Sequence, residues 1–140
     1  MARTYHLRLN EYDISENRYM ELKYFCLQHE DKKRKCQDIL HSSSGHSFEY
    51  APPKNQNLSE TERKAIKRAA LLRDIELIEA CAKEVQDGIW YYALIENCCK
   101  GRPYATIEQS RMPTAYKDAF YTARRQFFVL LDERQRMQDQ

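Results

Sequence analysis

Residues 87–136 read DGIWYYALIENCCKGRPYATIEQSRMPTAYKDAFYTARRQFFVLLDERQR, and the order of signals in this stretch decides the fold. Asp87 is placed to cap a helix by accepting a backbone N–H, and Ile89, Trp90, Ala93 and Leu94 recur at the three- and four-residue spacing of one apolar face. Gly101 predicts a stop. Without a Cβ it takes the left-handed conformation that closes a helix, and Lys100 before it suits the negative end of the helix dipole. Pro103 suits the opening of a short second helix with Tyr104 and Ile107 inward, and Pro113 ends that helix by disfavouring helical backbone at Met112. With Thr114 as N-cap, a last helix is predicted from Ala115 to near Arg134, with Tyr116, Phe120, Ala123, Phe127, Leu130 and Leu131 as its buried stripe.

Helix, basic turn, short helix, tight loop and long basic-aromatic helix is the element order of a helix-turn-helix DNA reader. Such a reader buries one face of its last helix, sends the first turns to base edges and places nearby cations on phosphates. Lys117, Asp118, Tyr121, Arg124 and Arg125 lie largely off the apolar stripe. The candidate DNA-binding residues are therefore Lys100, Arg102, Arg111 and Arg125 on phosphates, with Thr114, Lys117, Tyr121 and Arg124 in or near the turns that meet base edges. An amphipathic helix with a merely solvated charged face is the alternative for the same pattern.

The run GRPYATIEQ, followed by MPTAYKDAFYTARRQFFVLLDERQ, resembles the C-terminal end of small prophage proteins of the ArpU and RinA late transcription activator type. The stretches Leu9–Tyr19 and Leu71–Glu79 extend that resemblance over most of the chain. It implies a sequence-specific regulator of phage genes whose last helix, through Lys117, Tyr121, Arg124 and Arg125, contacts DNA. Asp118 departs from a purely basic reading surface: it can accept from cytosine N4, or repel phosphate.

The chain has 140 residues, 42% of them hydrophobic and 31% charged, with three glycines, which favours a real core built from helices over sheet. We expect an all-α protein: a long helical hairpin packed with a C-terminal helix-turn-helix unit. The division would be 1–57 and 58–140 within one compact domain. Net charge is +2 with pI near 8.2, so any affinity for nucleic acid has to come from a local patch. No apolar run approaches the roughly 20 residues that span a bilayer, and MARTYHLRLN lacks a signal-peptide core, so the expectation is no membrane and the cytoplasm of a bacterial host. Five cysteines without framework spacing read as reduced, packed thiols.

Residues 1–14 suggest an extended arm. Ser15 or Asp13 can cap a first long helix reaching about Leu40, with Tyr19, Leu22, Phe25, Cys26, His29, Cys36, Ile39 and Leu40 as its stripe. Its basic run at 31–35 is either a phosphate patch or a solvated turn. His41 to Asn57, rich in serine and carrying Pro52–Pro53, reads as the linker. Ser59 with Glu62 forms a capping-box signature, so a second long helix starts at Glu60 and continues to about Gln86, with Leu71, Leu72, Ile75, Ile78, Ala82 and Val85 inward. Arg63, Lys64, Lys67 and Arg68 near its start oppose the helix dipole, which invites either an external anion or pairing with Glu60 and Glu62.

Cys26, His29, Cys36, His41 and His46 miss any standard zinc-finger spacing, and adjacent Cys98–Cys99 point apart on a helix, so no metal is expected. No glycine-rich phosphate loop, nucleophile elbow or His-Glu-x-x-His motif is present, and neither catalysis nor a cofactor is expected. The expected function is sequence-specific binding of double-stranded DNA as a phage or prophage transcription regulator, acting as a homodimer. Two alternatives stand beside it. One is a protein-binding module that meets a host protein complex through Tyr91, Tyr92, Tyr116 and Tyr121; the other is a small DNA-packaging subunit.

Overall fold

The computed structural model describes residues 13–45, 59–110 and 117–139. The described residues are helical throughout apart from short connections, with no strand: α1 (Glu16–Leu27), α2 (His29–Gly45), α3 (Glu60–Glu84), a 3-10 turn (Val85–Gly88), α4 (Tyr91–Leu94) continuing into a π-helical turn (Ile95–Cys99), α5 (Tyr104–Ser110) and α6 (Lys117–Gln138). The all-α expectation is met. The predicted start Thr114–Ala115 of the last helix, the arm before residue 13 and the linker core at 46–57 lie outside the described residues.

Ser15, in extended backbone, accepts from the N–H of Arg18 and starts α1. The single long helix expected up to Leu40 is in fact two. At Gln28 the backbone flattens (ψ −3°) and its N–H is shared between the carbonyls of Phe25 and Cys26. α2 then sets off on its own path, along which His29 Nε2 meets Glu79 Oε2 at 2.9 Å and Lys32 Nζ donates to Asp74 Oδ2 at 2.9 Å. Leu40, expected inside, is 54% exposed. α2 also runs on to Gly45, past the point where His41 and the serines were expected to end it, with Ser42 Oγ donating back to the Ile39 carbonyl. The basic run is likewise split: Lys32 is buried, whereas Lys33, Arg34 and Lys35 are exposed.

The capping box at Ser59 and Glu62 forms in both directions, each bond 3.1 Å long, and starts α3 at the expected residue. α2 and α3 form an antiparallel hairpin, its register shown by the Cys36 thiol donating to the Arg68 carbonyl and by the Lys32–Asp74 pair. Ile75, Leu77, Ile78, Cys81 and Ala82 carry α3 into the core.

α3 ends in a sharp turn. Gln86 (φ 48°), Asp87 (φ 58°) and Gly88 (φ 83°) are all left-handed, so Asp87 sits inside the reversal instead of capping the next helix. Trp90 takes the N-cap position of α4 with no side-chain cap, and its indole N–H donates to Gln86 Oε1 at 2.9 Å. Ile89, expected on the apolar face, is 71% exposed, while Trp90, Ala93 and Leu94 are buried as expected. Gly101 is left-handed (φ 71°) and closes the helix as the sequence predicts.

The core gathers where α6 crosses α1, α3 and the 90–107 segment. Phe120, Ala123, Phe127, Phe128 and Leu131 of α6 are fully buried against Leu22, Cys26, Ile78, Leu94 and Ile107. Phe128 joins the expected stripe and Leu130 is only half-buried. Each buried phenylalanine contributes about 1.5–3 kcal/mol by removal of apolar surface from water. Asp132, buried, accepts from Arg18 Nε at 2.6 Å and pairs with Arg136 Nε at 3.0 Å, which ties α6 to α1. No helix among the described residues is long and apolar enough to cross a membrane.

Candidate nucleic-acid interface

The candidate residues follow from how α6 is anchored. Phe120 packs edge-on to Trp90, with ring centroids 6.1 Å apart, and lies 4.9 Å from Tyr104 of α5, so the first turn of α6 is held against the two preceding elements by aromatic contact. Lys117, Asp118 and Ala119, on the same turn, are exposed. Tyr121 is half-buried, its ring 5.2 Å from Phe120 and 6.1 Å from Tyr104. Arg125, one turn on, is half-buried and donates to Thr122 Oγ1 at 3.1 Å. It lines a cleft of about 380 Å³ together with Gln86, Gln126, Val129 and Glu133. Arg111 and Thr114 lie outside the described residues.

Lys100 and Arg102, each with a side chain 42% exposed, pair with a buried carboxylate. The π-helical turn directs Glu96 into a site where it is 5% exposed, and there Arg102 Nη1 meets one carboxylate oxygen at 2.5 Å and Lys100 Nζ the other at 3.0 Å. Lys100 also reaches Glu30 at 3.7 Å, linking the turn to α2. Burial works against ionisation of Glu96, but the hydrogen bonds from Arg102 and Lys100 outweigh it and hold the carboxyl below its ordinary range. The same pairing, led by the hydrogen bond to Glu96, raises Lys100. Both cations thus neutralise a buried acid, and as phosphate grips they would have to share their charge with Glu96.

Arg124 differs most from expectation. Its Nε donates to Asn97 Oδ1 and its Nη2 to the Tyr19 hydroxyl, each at 2.8 Å, and the guanidinium lies 4.9 Å from the Phe128 ring centroid. A group so held points into the protein and is a packing cation, so the base-edge role expected for it is not carried forward. The polar partners of these cations, buried Glu96 and half-buried Asn97, were passed over in the sequence. Glu96 carried one signal, its position four residues before Lys100 on a helix; Asn97 carried none.

No protein-family model, curated protein or solved structure matches this chain.

Of the predicted site residues described on α6, Lys117 is exposed, with exposed Asp118 beside it, and Tyr121, Arg124 and Arg125 are half-buried. The metal-type residues are dispersed: Cys26 lies against Cys99, His29 against Glu79 and Cys36 against the Arg68 carbonyl. Among the described residues no three His, Cys, Asp or Glu side chains form a group that could hold a metal ion. Of the aromatics expected to meet a partner protein, Tyr92 is 39% exposed and Tyr91 is half-buried beneath Lys83, 5.6 Å from the ring centroid. Tyr116 lies outside the described residues.

Proposed function

We propose that this chain is a sequence-specific double-stranded DNA-binding protein, a transcription regulator of phage or prophage type. In this reading it acts as a homodimer in the cytoplasm of a bacterial host. The observation that carries the proposal is the division of α6 at its start: Phe120, Ala123 and Phe127 are buried, while Lys117, Asp118 and Ala119 stand exposed on a helix preceded by a short helix and a basic turn. That arrangement suits insertion of the first turn of a recognition helix in a major groove. Lys117 is the residue for a base edge or the nearest phosphate, with Tyr121 and Arg125 flanking it.

The test is a salt titration of the purified protein on a pool of randomised duplexes, with sequencing of the retained fraction. Enrichment of a motif, lost in Lys117→Ala while the fold persists, supports the proposal. Retention without enrichment removes sequence recognition. A second reading has one observation in its favour: Ile89 (71% exposed) and Tyr92 (39% exposed) lie three residues apart at the same corner, an apolar pair suited to a protein partner. A stable complex with a host protein that forms without DNA and is lost in Ile89→Asp would favour it over DNA recognition.

A further inference from the structure

The positive charge of this protein is concentrated away from the first turn of α6. Residues 31–45 and 60–73, the outer part of the α2–α3 hairpin, carry nine lysines and arginines against four aspartates and glutamates, whereas the whole chain carries 23 against 21. The remainder of the chain is therefore net acidic.

Little of the hairpin's charge is neutralised locally. Lys32 pairs with Asp74, Arg34 with Asp31 and Lys64 with Glu60. Lys33, Lys35, Arg63, Lys67, Arg68 and Arg73 make no ion pair among the described residues, and all but Arg68 are exposed. Arg68 keeps a buried Nε with no hydrogen-bond partner. The capping box at Ser59 and Glu62 starts α3 immediately before Arg63, so Arg63 stands next to the positive end of the helix dipole, where like charge is unfavourable. Cys36 and Arg68 face each other across the hairpin, and on antiparallel helices the positions just before facing residues fall on one flank. Lys35 and Lys67 share that flank.

Two contacts set the spacing to α6. Gln86 Nε2 donates to Gln126 Oε1 at 3.0 Å, and Arg134 pairs with Glu84, so α3 and α6 run antiparallel. From those levels Lys67 and Lys117 lie in opposite directions, which at the helical rise separates them by roughly 40–50 Å along the helices. That is longer than one turn of B-DNA, about 34–36 Å.

We propose that the α2–α3 hairpin is a second DNA-contacting surface, in which Lys35, Arg63 and Lys67 grip the phosphate backbone roughly 40–50 Å from the base pairs met by α6. The spacing rests on the α6 reading; the backbone grip does not. Phosphate is favoured over an acidic protein because the cations are exposed, unneutralised and spread along helices, as a repeating backbone charge requires.

The experiment uses the full chain, wild type against the triple variant Lys35→Gln, Arg63→Gln, Lys67→Gln, three exposed positions whose substitution leaves the core untouched. Unchanged thermal melting establishes the fold, and retention is measured on a randomised duplex pool over a salt series. The proposal expects the slope of log affinity against log salt to fall by about 2–3 in the triple variant, and by no more than about 1 in Lys117→Ala. A hydroxyl-radical footprint on an enriched site should lose protection about 12–15 base pairs from its centre in the triple variant only. An unchanged slope overturns the proposal, as does hairpin-dependent binding of polyglutamate with no effect on duplex. A hairpin-dependent slope with no enriched motif supports the grip while removing sequence recognition by α6.

Discussion

The guanidinium of Arg124 and the hydroxyl of Tyr19 meet at 2.8 Å across 105 positions of chain, closing α6 onto α1. Tyr19 itself packs edge-on against Phe128, with centroids 5.2 Å apart, so cation, hydroxyl and ring form one unit. Replacing Arg124 with alanine should destabilise the fold by about 2 kcal/mol, since charge-assisted hydrogen bonds to Asn97 and Tyr19 are lost together with ring contact. Urea unfolding would show this as a lower midpoint at unchanged slope. An unaltered midpoint together with weakened DNA binding would return Arg124 to the surface role.

Glu96 should make stability depend on acid pH. Its carboxyl lies below the ordinary range because the hydrogen bonds of Arg102 and Lys100 overcome burial. A depressed carboxylate contributes stability that is present above its unfolded value, about pH 4.3, and is lost as pH falls through the lower folded value. The melting temperature of the wild type should therefore exceed that of Glu96→Gln at pH 7, with the gap narrowing below about pH 4. A gap that is constant with pH would show that the ionised form carries no advantage.

Alkaline pH should act through the thiols. All five cysteines are free and buried, and burial pushes Cys98 up to about 12 and Cys81 to about 11. Groups raised in the folded state stabilise fully below their unfolded value, about pH 8.5, and that contribution is lost as pH rises through the folded values. Denaturant midpoints should fall between pH 9 and pH 11, and less so in Cys98→Ala after correction for its lost packing. Thiol reagents at pH 8 should label the folded protein only on the timescale of unfolding.

The reversal after α3 offers a test of backbone strain. Asp87 holds φ 58°, a conformation that costs a residue with a Cβ, so Asp87→Gly should raise stability by up to about 1 kcal/mol. Gly88→Ala should do the opposite, because it combines φ 83° with a Cβ placed 3.1 Å from the Lys83 carbonyl oxygen. Equal melting temperatures for the two variants would contradict the strain shown by the backbone angles.

Local signals carried much of the fold. The capping box at Ser59, the Gly101 stop, the short helix after Pro103 and the buried spacing of Phe120, Ala123 and Phe127 were all legible, because each depends on residues within one or two helical turns of one another. The break at Gln28 and the run of α2 to Gly45 were not. Both carry the marks of a path set against α3, where His29 and Lys32 find Glu79 and Asp74 some 50 and 42 positions away.

The candidate surface divides along the same line. Composition determined an all-α chain with only a slight net charge, and periodicity determined which face of α6 turns inward. Which cations are engaged was decided partly by local pairing and partly by tertiary structure. Lys100 and Arg102 are held by the buried Glu96 and Arg124 by the half-buried Asn97, while Lys35, Arg63 and Lys67 meet no carboxylate among the described residues. A buried acceptor left without a partner costs far more than an exposed cation left to water, so the fold draws in the nearest cations and leaves the rest outside. For Lys100 and Arg102 the nearest acceptor, Glu96, is local in sequence, whereas for Arg124 the partners Asn97 and Tyr19 lie 27 and 105 positions away and only packing between distant segments brings them together.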